Sequence, residues 1–117
     1  MSSTAQPVAS GYDKVLADLI SYAHEDWLGM EVVASAVREC FDHRPSYAEV
    51  RPLAIRAVSD LINAGASAGD VAAVDSTWRF DPWPVSPEQA IQQITRDLEE
   101  RDSYPEPGEI GWITFLD

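Results

Sequence analysis

The stretch from Ser46 to Gly65 constrains the fold most, because it spells out one helix with both ends marked. Ser46 and Glu49 stand at capping-box spacing, S-Y-A-E, where a hydroxyl and a carboxylate can each take a free backbone N–H. Val50, Leu53, Ala54, Ala57, Val58, Leu61 and Ile62 recur at three-and-four spacing and so share one face. Gly65 suits the left-handed residue that follows a helix end. Pro52 lies too deep for the first turn, so it is expected to kink the helix or split off a one-turn start at Ser46–Val50. A stripe this apolar has to be covered by other elements.

Those elements flank it. A first helix is expected from about Tyr12 to His24, with Val15, Leu16, Leu19 and Ile20 on its stripe. A second is expected from Trp27 or Leu28 to about Phe41, with Asp26 as N-cap. Ala66 to Gly69 reads as a small, flexible link. Val71–Val74 and Thr77–Phe80 read as two short strands about a turn at Asp75-Ser76, followed by a Pro-stiffened Asp81-Pro82-Trp83-Pro84. Ser86, Pro87 and Gln89 mark the start of a fourth helix, and Ile110–Leu116 reads as a last strand. The expected fold class is α+β, mainly α, with four helices and a small antiparallel sheet. Its element order resembles a winged-helix arrangement, with the Ser46–Ile62 helix in the recognition position and Val71–Phe80 as the wing. That likeness concerns fold and not function. The 117 residues fit a single globular domain over 12–117, with a disordered lead-in over 1–11.

Motifs for chemistry are missing. His24-Glu25 begins like H-E-x-x-H, but Leu28 stands where the second ligand belongs. Asp70, Asp75 and Asp81 lack calcium-loop spacing, and no phosphate loop or nucleophile elbow occurs. The sequence therefore suggests no catalytic residue, no metal and no cofactor. Cys40, the single cysteine, falls on an apolar helix face and reads as a buried hydrophobe in a reducing cytoplasm. His43, three residues on, is the nearest candidate base for it. The first eleven residues have neither the basic nor the apolar region of a signal peptide, and no run of about 18 apolar residues occurs to span a membrane. A cytoplasmic protein is expected.

Charge carries more information. The formal net charge is −12. Residues 1–37 hold one basic and five acidic side chains, and residues 57–117 hold three Arg against twelve acids. Residues 38–56 hold four Arg against three acids. Such a chain repels phosphates and anionic membrane surfaces, which disfavours nucleic acid and membrane as partners. The locally basic stretch keeps one alternative open, a winged-helix DNA-binding or regulatory protein using Arg51 and Arg56.

Aromatic residues crowd the wing. Trp78 and Phe80 fall on one face of a strand at alternate spacing, while Trp83, between two prolines, could point outward beside Asp81. Aromatic anchors ringed by acids suit a basic protein surface.

The runs Leu61-Ile62-x-Ala64-Gly65, Ala68-Gly69-Asp70-Val71, Phe80-x-Pro82-Trp83, Pro87-Glu88-x-Ala90 and Pro107-Gly108-Glu109-Ile110-x-Trp112 carry a resemblance. The chain resembles a loose group of small acidic actinobacterial proteins, some of them similar to the immunity proteins of polymorphic toxin systems. It departs from the group's pattern at Asp97-Leu98, where a tryptophan is usual. Seven Arg against one Lys also fit a high-GC bacterial coding sequence. The resemblance implies a non-enzymatic protein-binding module that covers the active site of a basic toxin. The expected partner-binding residues are Asp70, Asp75, Asp81 and Trp83 from the wing, and Asp97, Glu100 and Asp102 from the fourth helix. Two further readings stay open: a ligand-binding or catalytic pocket lined by Cys40, His43 or His24, and a self-associating subunit.

Overall fold

The longest helix, α3 (Tyr47–Asn63), sits at the centre of the fold, between α2 (Met30–Val37) and α4 (Pro87–Glu99), with α1 (Tyr12–Glu25) also against it. This is a computed structural model, and it describes residues 11–116. The expected lead-in therefore lies, apart from Gly11, outside the described residues. Both ends of α3 close as their sequence demands. The Ser46 hydroxyl accepts from the Glu49 N–H and the Glu49 carboxylate accepts from the Ser46 N–H. At the other end Gly65 takes a φ of 113°, and the N–H groups of Gly65 and Ala66 return to the carbonyls of Ile62 and Leu61, a Schellman closure.

Pro52 does not split α3, which runs through it unbroken. The carbonyl that loses its i+4 donor belongs to Ala48, and both Ala48 and Pro52 are exposed, so water can serve that oxygen.

Four strands form one antiparallel sheet in the order β1-β4-β2-β3: β1 (Leu28–Gly29), β2 (Ser67–Val74), β3 (Thr77–Pro82) and β4 (Trp112–Thr114). The mainly helical α+β class is as the sequence suggested. Several boundaries differ, β3 among them, which runs on to Pro82 rather than ending at Phe80. Leu28 and Gly29 belong to a strand rather than to the second helix, because they pair with Ile113 and Trp112. Helix α2 therefore starts at Met30 with Gly29 as N-cap, and it tightens into a 3-10 turn at Arg38–Cys40. The Asp26 carboxylate accepts from the next N–H, that of Trp27, and caps nothing in α2.

The supposed link at Ala66–Gly69 is largely strand. Ala68 and Gly69 are buried beside Ile113 and Trp112 of β4, where small side chains let bulky neighbours close in. The last strand is shorter than Ile110–Leu116 and covers only Trp112–Thr114. One hydrophobic core joins the elements, with Leu28, Met30, Val33, Leu61, Ile94 and Ile113 among its fully enclosed side chains.

Candidate functional site

The β2–β3 hairpin is the part of the molecule least covered by the rest. Asp75 and Ser76 form its two-residue loop with φ of 52° and 65°, the left-handed pair that a type I′ turn needs. Every residue from Ala72 to Arg79 is exposed, so this distal half stands clear of the core on both faces. Register assigns the faces, because directly opposed residues share one. One face carries Val71 with Phe80 and Ala73 with Trp78; the other carries Asp70 with Asp81 and Ala72 with Arg79. Trp78 is 64% exposed and Val74 45%.

Asp70 and Asp81 are thus cross-strand partners, both exposed. Like charges directly opposed are unfavourable by a few tenths of a kcal/mol to about 1 kcal/mol. Neither of them, nor Asp75 at the tip, joins an ion pair among the described residues. A cation arriving from outside would relieve that repulsion.

Trp83 does not point outward. Its N–H continues the ladder to the Ala68 carbonyl at 2.9 Å, and its side chain packs against the core. The ring is half-buried and lies against Gly111, where a Cβ would come within 2.7 Å of Trp83 Cζ2. With Ile62, Ala66, Pro87 and Ala90 it lines an open cleft of about 230 Å³ beside the start of α4. The exposed aromatic of this segment is Trp78. Its shared face with Phe80 was legible from spacing, but nothing local said that no other element covers that face.

The remaining expected acids lie elsewhere. Asp97 is half-buried, and Glu100 and Asp102 are exposed, all at the C-terminal end of α4. Ten residues of helix separate Pro87 from Asp97, about 15 Å. The seven residues thus fall into two groups, four on or just after the hairpin and three at the C-terminal end of α4. The second group is tempered by cations. Arg51 Nη1 donates to the Glu99 carbonyl at 3.4 Å, and Arg101 pairs with Glu109 at 2.8 Å while its Nε donates to the Asp97 carbonyl at 3.4 Å. Two guanidinium groups at a helix C-terminus also offset the negative end of its dipole.

Arg51 and Arg56 are engaged within the fold. Arg51 reaches the end of α4 and lies over the Tyr47 ring. Arg56 stacks 4.2 Å above the Tyr12 ring and approaches Asp60 at 3.9 Å, while the Tyr12 hydroxyl donates to the same carboxylate at 2.6 Å. Five residues apart on α3, they point about 140° from one another and share no face.

The thiol and imidazoles form no catalytic pair. Cys40 is buried, and burial followed by the nearby Glu39 charge pushes its thiol up, away from the thiolate. His43 is held instead by Asp42 at 2.9 Å and Glu49 at 3.1 Å, and hydrogen bonds to those two carboxylates raise its pKa. His24 stacks on Phe115 with ring centroids 4.0 Å apart. None of the three lines the cleft. Among the described residues no group of three or more acidic, His or Cys side chains could hold a metal ion, and no helix is long and apolar enough to cross a membrane. No family model, curated protein or solved structure matches the chain.

Proposed function

We propose that the chain is a non-enzymatic, acidic protein-binding module of the immunity or antitoxin kind, acting in the cytoplasm by covering the active site of a basic toxin. The observation that carries this reading is the hairpin. Its distal half projects free of the core with Asp75 at the tip and the exposed Trp78 on one face, and Asp70 and Asp81 stand exposed on the other face nearer the base. A two-stranded arm of this kind can enter a cleft, the carboxylates can meet lysine and arginine side chains there, and the indole supplies an anchor. The overall charge of −12 would speed encounter with a cationic partner. Trp83 acts from behind, packing the base of the hairpin against the core.

The test is protection. Co-expression should relieve the growth arrest caused by a basic toxin encoded beside this gene, and Asp70→Lys with Asp75→Lys should abolish the relief while leaving the fold intact by circular dichroism. Relief that survives both charge reversals would remove the hairpin from the interface. The DNA-reading alternative needs Arg51 and Arg56 free, and both are held by groups of the chain itself. No duplex shift is expected in a gel at low salt.

A further inference from the structure

The outer edge of β3 is an unpaired strand edge. β3 ends the order β1-β4-β2-β3, so among the described residues one row of its backbone groups has no partner strand. The Trp83 N–H points to Ala68 on β2, and by alternation Asp81, Arg79 and Thr77 also turn their backbone groups to β2. Trp78 and Phe80 therefore direct both N–H and C=O outward. Pro82 directs only a carbonyl outward, having no N–H to give.

We propose that β3 pairs with β3 of a second copy of this chain, antiparallel about a two-fold axis at Phe80, joining two four-stranded sheets into one. The strand is self-complementary in this register. Arg79 lies opposite Asp81 of the other copy, twice, and exposed Trp78 lies opposite the ring of Pro82. Four backbone hydrogen bonds close it: two between the Phe80 residues, and one from each Trp78 N–H to a Pro82 carbonyl. The neighbouring registers that keep outward groups paired set Arg79 against Arg79 or Asp81 against Asp81, and like charges directly opposed disfavour both. Within one chain Arg79 joins no ion pair among the described residues, and Asp81 faces only Asp70 across the hairpin. The new partner would satisfy both.

Packing leaves room at the axis. Phe80 leans back over its own Gly69, where a Cβ would come within 2.8 Å of Phe80 Cζ, so the two rings turn away from each other. Pro82 ends the pairing, since the next outward position lacks a donor. The inference does not rest on the proposed function. Asp70 and Asp75 remain free in such a dimer, whereas Asp81 and Trp78 are taken up by it, so the dimer has to part before those two meet another partner.

A charge-swap experiment tests it, read as mass by light scattering in about 0.15 M salt, where charges beyond about 8 Å are screened. The unaltered chain is expected to pass from 12.9 kDa to twice that mass as concentration rises. Arg79→Asp alone and Asp81→Arg alone should each stay at the single-chain mass, since each sets like charges opposite one another. Mixed in equal amounts, the two variants should form a heterodimer, because the acidic strand of one then faces the basic strand of the other. The mixture also guards against misfolding, which mixing would not repair. A single 12.9 kDa species for the unaltered chain up to about 1 mM overturns the proposal. So do single variants that still dimerise, or a mixture that stays monomeric.

Discussion

Gly69 shows what one small residue does here. It sits where β2 meets both neighbours, opposite Pro82 on β3 and Trp112 on β4. A methyl group at this position would lie 2.8 Å from the Pro82 Cα and from the Phe80 ring tip. The ring can swing, but the Pro82 backbone is fixed by the ladder. Gly69→Ala should therefore destabilise the fold by about 1–3 kcal/mol, the usual range for overpacking. Urea unfolding checks it: the midpoint should fall with the slope unchanged. An unchanged midpoint would mean that the strands separate freely at their base. From the sequence alone the run Ala66-Ser67-Ala68-Gly69 reads as flexible, because smallness and flexibility leave the same local mark. The distinction depends on Trp112 and Phe80, which no local window connects to Gly69. The expected outward turn of Trp83 fails for the same reason: two flanking prolines announce an extended backbone but not which way its side chain turns.

At the level of elements, α3 was legible at both ends because its signals are local: Ser46 and Glu49 at the start, Gly65 at the finish. The start of α2 was not, because β1 exists only through pairing with β4 near the other end of the chain. Periodicity sees Leu28 as a helix residue, and the sheet overrules it. The cap of α3 also carries a pH dependence. Glu49 accepts from the Ser46 backbone with one oxygen and meets His43 with the other, and His43 meets Asp42 with its second nitrogen. His43 is raised from its ordinary 6.5, so its contribution is complete below that value and is lost as pH rises through the raised one. Glu49 is lowered from 4.5, first by the Ser46 N–H and then by His43, and Asp42 is lowered from 3.8 by His43. Their contributions are present above those ordinary values and are lost as pH falls through the lowered ones. Between 4.5 and 6.5 all three act together. His43→Gln should thus lower the melting temperature most near about pH 5.5 and hardly at all near about pH 9. A difference that does not change with pH would show that the imidazole only packs there.

Across the whole molecule the charge of −12 is divided between places that act at different ranges. The hairpin acids stand on a projecting arm, and Asp97, Glu100 and Asp102 lie at the far end of α4, about 15 Å along the helix from its start. Charges further apart than about 8 Å are largely screened at 0.15 M salt but still feel one another over roughly 30 Å at 0.01 M. If a basic partner docks on the hairpin, the distant acids attract it only when salt is low. Reversing Asp97, Glu100 and Asp102 to Lys should slow association several-fold at about 0.01 M salt and leave it nearly unchanged at about 0.15 M, with dissociation unaffected throughout. Asp70→Lys with Asp75→Lys should slow association at both and also hasten dissociation, because those side chains lie in the contact itself. Stopped-flow association at the two salt concentrations separates the cases. Faster dissociation from the α4 variant would place that end of the helix inside the interface and move the docking surface away from the arm.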